Sequence, residues 1–397
     1  MKKLLVVSCL LLVVSAVAYA EVPVATTVTS ATGGPTQLQS NIGGISIGYI
    51  RVGTAEVATL GWRPDLKFGP WGLGADVNLA LGDKKPANYE SAVLRYVEYD
   101  DMKKGLRYGM LDGVTIGHGL IMKNYSTRVS SQVLLNNEQM GAKGYLDMDK
   151  CVVRGMATRS SLYFVRVEER INPMLTLGQY YVSDSIGRRI TQANSTVRQF
   201  PAVSAIGLDA TMPLPANLEV YAEAGQLMNH GNGLTAGFSW AYDMMVANAS
   251  FLAEYRMLDK GFIPGYFNVD YETNPIDITS AEASTKPKNG YLAQLGVNAL
   301  GLASLSAIYE AYQDSNATLT ADLSAKLSEQ VNVRGYYKQP NFADYRSITL
   351  EQGAILGADV TYKVNPFTSV ITHYKKAYNP STGQVESTQY YEMALSF

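Results

Sequence analysis

The chain has 397 residues, with 33 basic side chains against 35 acidic ones and a formal net charge of −2. That balance offers nucleic acid no electrostatic attraction, so this partner class is set aside. Beyond the N-terminal leader no apolar run approaches the roughly 18 residues of a membrane helix, and no Pro- or Ser-rich linker divides the chain.

The leader "MKKLLVVSCLLLVVSAVAYA" combines Lys2 and Lys3, an apolar run from Leu4 to Val17, and an Ala18-Tyr19-Ala20 cleavage pattern. This layout predicts a secretory signal peptide over residues 1–20 and a mature chain from Glu21. Cys9 in "VVSC" loosely resembles an acylation site, but most of the apolar run follows it rather than precedes it. Loss of the leader leaves Cys151 alone, so no intrachain disulfide is expected. Residues 21–42, rich in Thr, Ser and Gly, read as a flexible lead-in, and 43–397 as a single barrel. Within 43–113, Pro64 and Pro70 interrupt the alternation of "RPDLKFGPWGLGADVNLALGDKKPANYE". That stretch reads either as further strands or as a segment tucked inside.

"GVTIGHGLIM" carries Gly113, Gly117 and Gly119 but lacks the helix-opening context and the Lys-Ser/Thr ending of a phosphate loop. Kinking of a strand, or close backbone approach, is the expectation. His118, His230 and His373 are too scattered to form a metal signature and read as lumen or loop residues, so neither metal nor cofactor is expected. Cys151 opens a strand after "DMDK" as a small packed side chain. No local pattern joins a nucleophile to an oriented base, so no enzyme activity is expected.

From here on, apolar and polar residues alternate with a period of two, the signature of strands with one apolar and one polar face. "LYFVRVEER" places Arg166, Glu168 and Arg170 on one face; "SAIGLDATM" sets Asp209 and Thr211 against Ile206, Leu208 and Ala210. "LEVYAEAG" sets Glu219 and Glu223 against Leu218, Val220 and Ala222, and "FLAEYRML" aligns Glu254 with Arg256. "ATLTADLSAKLS" opposes Asp322 and Lys326 to Leu319, Leu323 and Leu327. "VNVRGYYKQ" carries Arg334 and Lys338, and "AILGADVTYKV" opposes Asp359 and Lys363 to Leu356, Val360 and Tyr362. The final "TQYYEMALSF" keeps the period through Tyr391, Met393, Leu395 and Phe397, so the last strand is expected to be paired rather than frayed.

The connections alternate too. Long ones ("NPSTGQVES", "PNFADYRSITLEQG", 261–289, "NHGNG", 185–202) interleave with short ones ("VNPF", "SEQ", "LG", "VAN", "PLPAN", "NPM") over roughly 300 residues. The 27 tyrosines and 35 glycines suit strands, membrane interfaces and turns. Tyr96, Tyr99, Tyr180, Tyr181, Tyr336, Tyr337 and Tyr374 fall near strand ends and read as an interfacial girdle.

Leader, amphipathic strands of about ten residues and a terminal Phe together resemble the bacterial outer-membrane β-barrel proteins, porin-like ones in particular. The fold expectation is all-β: a transmembrane antiparallel up-and-down β-barrel of about 18 strands, with 16 and 20 as alternatives. The resemblance also implies that Tyr391, Met393, Leu395 and Phe397 are the signal read by the barrel-assembly machinery. Barrels of this width enclose water. The polar faces then supply the candidate pore lining: Arg166, Glu168, Arg170, Asp209, Glu219, Glu223, Glu254, Arg256, Asp322, Lys326, Arg334, Lys338, Asp359 and Lys363. The expected function is passive diffusion of small hydrophilic solutes across the outer membrane. The alternatives are a substrate-specific channel, or a barrel whose extracellular loops bind a surface or ligand. Expected partners are outer-membrane lipid, the assembly machinery, small solutes and, as an open alternative, further copies of the chain. The stretch 261–289 is the loop expected to fold inward. Replacing Phe397 with a polar residue should slow outer-membrane insertion while leaving secretion intact, a pulse-chase fractionation measurement; insertion at the normal rate would refute the signal.

Overall fold

Strands whose two faces differ in polarity need a sheet with two different environments, and this chain builds one by rolling the sheet up. The computed structural model describes residues 44–52, 55–81, 91–127, 140–191, 197–244, 246–280, 286–342, 354–365, 368–379 and 384–395. The expected leader (1–20), the lead-in (21–42) and Phe397 lie outside the described residues.

The first strands are β1 (Gly44–Val52), β2 (Ala55–Arg63), β3 (Asp65–Phe68), β4 (Trp71–Leu81), β5 (Ser91–Asp100) and β6 (Lys104–Gly109). Next come β7 (Gly141–Asp147), β8 (Cys151–Thr158), β9 (Leu162–Asn172) and β10 (Leu175–Asp184), then a separate hairpin of β11 (Arg188–Thr191) and β12 (Val197–Phe200). The wall continues with β13 (Ser204–Leu214), β14 (Leu218–Leu227), β15 (Gly231–Met244), β16 (Ala247–Leu258), β17 (Lys288–Ala299) and β18 (Ala303–Tyr312). It ends with β19 (Ala317–Lys326), β20 (Val331–Phe342), β21 (Ile355–Asn365), β22 (Thr368–Asn379) and β23 (Gln384–Leu395).

Each wall strand pairs antiparallel with the next, and β23 pairs with β1 from Ile45 opposite Leu395 to Tyr49 opposite Tyr391, which closes the ring. The main sheet has 21 strands, but β2 and β3 lie end to end along β4 (Trp62 opposite Val77, Phe68 opposite Trp71) and share one place. The ring therefore has 20 places, the upper of the two alternatives to the 18 expected from the sequence. The reason lies in 43–113: Pro64 has no N–H to give the ladder, yet its carbonyl still accepts from Ala75 N at 3.1 Å, so the strand is interrupted but not lost. The described strands between 44 and 109 are wall, not an internal insert.

Register assigns the faces. Leu323 lies opposite Leu305, and Leu208 opposite Ala224, with the two leucines 51% and 61% exposed on the outer surface. Val165, Leu234, Met257, Leu356 and Val360 join them there. The tyrosine girdle splits: Tyr99, Tyr181, Tyr337 and Tyr374 share the outer face by register, whereas Tyr96 and Tyr180 are buried inside and Tyr336 faces inward beside Asp322. Tyr96 and Tyr180 turn in because each donates to a carboxylate, Asp65 and Glu223 respectively.

Connections at one end are two to four residues long (69–70, 101–103, 148–150, 173–174, 215–217, 300–302, 327–330), and the other end carries the long segments 110–140, 185–203 and 259–287. Leu323→Arg should lower folding stability in lipid vesicles by about 2–4 kcal/mol, the cost of a cation on a lipid-facing wall. Asp322→Ala on the opposite face should cost about 1 kcal/mol or less, because its bond to Arg334 is partly solvated. Equal losses in urea unfolding would refute the face assignment.

Candidate functional site: the charged lumen and its inward loops

A wall of 20 strands encloses more space than its own side chains can fill. Two of the long connections turn into that space. In 110–127, Leu111, Ile116, Leu120, Ile121, Met122 and Tyr125 are all buried; so are Phe262, Tyr266, Phe267, Tyr271 and Ile278 of the second connection. Their backbones bond to each other: Lys123 N donates to Phe267 O at 3.0 Å, Phe267 N to Ile121 O at 3.1 Å, and Gly265 N to Leu120 O at 2.8 Å. Together they form one apolar core with Met156, Phe164, Val182, Ala205 and Leu227 of the inner wall.

The inward turn of 259–280 matches the expectation for 261–289 over the described residues. "GVTIGHGLIM" does not become a kinked strand. Gly113, Gly117 and Gly119 adopt left-handed φ of 65°, 58° and 93°, and turn the chain within the loop. Close approach does hold at Gly117, where a Cβ would come within 2.6 Å of Glu223 Oε1. The readable signal was the run Leu120-Ile121-Met122, apolar without alternation, which suits a segment buried on all sides and not a wall strand.

The loop seats on charged wall residues. Glu223 on β14 is fully buried and accepts from His118 N at 2.8 Å, Leu120 N at 3.3 Å and the Tyr180 hydroxyl. The His118 ring stacks on Tyr221 (centroids 3.7 Å apart, 8° between planes), and its Nε2 lies 2.8 Å from Thr211 Oγ1. Burial lowers the His118 imidazole to about 4, so it is neutral around pH 7. Above the lumen, Arg188 of the β11–β12 hairpin donates to Asp184 Oδ2 at 2.8 Å and Glu272 Oε1 at 2.9 Å. Tyr125 donates to Glu272 Oε1 at 2.5 Å, and Tyr271 to Asp184 Oδ2 at 2.7 Å. Burial and the neighbouring Glu272 push the Tyr125 phenol up, so it stays a donor. Three connections are thereby tied into one roof. None of this long-range cluster was visible in local sequence patterns.

The charges named from the sequence fall into two groups. Arg166 donates to Asp209 through both terminal nitrogens (2.6 and 3.0 Å) and to Glu168 at 2.9 Å, while Arg154 also reaches Glu168 at 2.8 Å. Glu254 and Arg256 bond each other, and Arg256 continues to Glu310 at 2.8 Å. These groups lie beneath the inward loops. Arg166 and Arg256 keep 10% and 3% of their side chains accessible.

On β19–β22 the inward face is more open. Asp322 pairs with Arg334 at 2.5 Å, with side chains 35% and 23% accessible, and His373 Nδ1 lies 2.8 Å from Asp359 Oδ1. Lys326 bonds Glu329 of the adjoining turn at 2.8 Å. Lys338 (opposite Thr320) and Lys363 (opposite Ser369) share this inner face, and Lys338 is exposed. Glu219 shares the inner face of β14, and Arg170 sits near the short-turn end with Asp147 at 2.8 Å. Tyr391 and Met393 are exposed on the outer face of the closing strand.

No family model and no curated protein matches the chain. Solved structures similar to it include a BenF-like porin from Pseudomonas fluorescens, 10% identical over 90% of this chain and 97% of that one, with a TM-score of 0.43. OccK10 (OpdN) of Pseudomonas aeruginosa is 13% identical over 90% and 98%, with a TM-score of 0.42. Wzi of Escherichia coli, described as a carbohydrate-binding β-barrel of the outer membrane involved in group 1 capsule assembly, is 10% identical over 90% and 85%, with a TM-score of 0.38. The architecture set out above rests on this chain's own pairings.

Asp209→Ala should destabilise the barrel by about 3 kcal/mol, because it strands the buried Arg166 with only part of its carboxylate partnership. The double variant Arg166→Met, Asp209→Leu should recover most of that loss in denaturant unfolding. A double variant as unstable as the single one would refute the pairing as the cause.

Proposed function

We propose that the chain is an outer-membrane channel of porin type, through which small hydrophilic solutes diffuse without a cofactor or catalysis. The carrying observation is the contrast between the two surfaces of a closed ring. The outer one is apolar and exposed; the inner one is charged and, on β19–β22, still accessible. Apolar strands facing outward are stable in lipid, where a closed ring leaves no backbone edge unpaired. Charges that would be costly on the lipid side face inward, where water solvates them.

Solutes pass along the β19–β22 side, because the inward loops occupy the opposite one. Lys338 and Lys363 face that passage, whereas Arg166 is neutralised by Asp209 and covered. Outer-membrane lipid and the assembly machinery are the partners this reading requires. The roof joined by Arg188 and Glu272 gives a specific ground for a second reading, in which the loops bind a surface or ligand and conduction is incidental.

Purified protein in a planar bilayer should form open channels. Lys338→Ala with Lys363→Ala should shift the reversal potential toward cation preference, more at low salt than at high salt. Arg166→Ala should shift it less. A folded barrel without conductance would refute the channel and favour the binding reading.

A further inference from the structure

The inward loop 110–127 reaches β13 and β14 through one carboxylate and one imidazole. Glu223 holds the backbone of His118 and Leu120, while the His118 ring lies flat on Tyr221 and reaches Thr211. Charged and titratable groups face this ring from every neighbouring strand. They are Arg166 on β9, Tyr180 on β10, Asp209 on β13, Tyr221 and Glu223 on β14, and Glu254 on β16. Their carboxylates are already engaged: Asp209 by Arg166, Glu254 by Arg256 and the Tyr221 hydroxyl, and Glu223 by the loop amides and Tyr180. An imidazolium formed here would sit beside Arg166 without a carboxylate of its own.

We propose that His118 is a proton-sensitive latch: its protonation unseats loop 110–127 from β13 and β14 and widens the passage. The proposal rests on the channel reading for its consequence, but the seating itself can be measured separately. The sign follows from burial. The seated imidazole titrates at about 4, well below the roughly 6.5 of a free one. At His118 the seated loop therefore binds fewer protons; this contribution to seating is complete above about 6.5 and is lost as pH falls from there toward 4. Between pH 7.5 and pH 5 the His118 contribution alone raises the ratio of unseated to seated loop about 30-fold, read as the difference between the wild type and His118→Phe.

Hydrogen exchange of the folded barrel in detergent, corrected for intrinsic pH dependence, reads the amides of His118 and Leu120 directly. Relative to His118→Phe, their protection in the wild type should fall by about an order of magnitude or more between pH 7.5 and pH 5, and single-channel conductance should rise over the same interval. His118→Phe, which keeps a ring on Tyr221, and His118→Gln, which keeps a polar contact to Thr211, should both lose the His118 part of the response. A wild-type pH response no different from that of the folded His118 variants would overturn the latch. Loss of protection without conductance at either pH would support the latch and overturn the channel.

Discussion

Closure of the hydrogen-bond ladder is the constraint on which everything else depends. A lipid-embedded sheet cannot leave the N–H and C=O groups of an edge strand unpaired, since each would cost several kcal/mol. Here β23 meets β1 over five residue pairs, and the first and last strands become neighbours. Closure fixes the two faces, because a slip of one residue would turn every side chain through the wall. It also fixes the width, and a ring of 20 places leaves a lumen that wall side chains cannot fill.

That unfilled space explains the division of the interior. Loops 110–127 and 259–280 supply the apolar side chains that a wide barrel lacks, and they pack against one side. The buried charges there, Arg166 with Asp209 and Arg256 with Glu254, lose solvation and recover it through short ion pairs and hydrogen bonds. On the other side Asp322, Arg334 and Lys326 stay partly solvated, as residues lining water can. One kind of inward-facing charge thus serves two purposes: seating a loop and, in the proposed function, lining a passage.

Much of this was legible in the sequence because strand alternation is a local property. Leu323 and Asp322, or Val360 and Asp359, declare opposite faces without any knowledge of their neighbours. Loop lengths similarly declared which end is which. The role of Glu223 was not legible. It alternates like any lumen residue, and only the fold brings Gly117 and His118, more than 100 positions away, onto it. Nor could alternation tell covered Arg166 from accessible Arg334, since both occupy inward positions. The roof of Arg188, Glu272, Asp184, Tyr271 and Tyr125 joins three connections by contacts up to 147 residues apart and leaves no trace in spacing. Pro64 left its segment open for a simpler cause: a broken alternation is ambiguous between a bulged strand and no strand.

The claim that solutes travel beside β19–β22, and not beneath the inward loops, is tested most directly by blocking each side in turn. In a Cys151→Ser background, single cysteines replace Lys338 on the open side and Thr235, buried beneath the loops. A bulky, membrane-impermeant thiol reagent is then added during bilayer recording at neutral pH. The account predicts a stepwise fall in current for Lys338→Cys and none for Thr235→Cys. Block at Thr235→Cys with free passage at Lys338→Cys would contradict it.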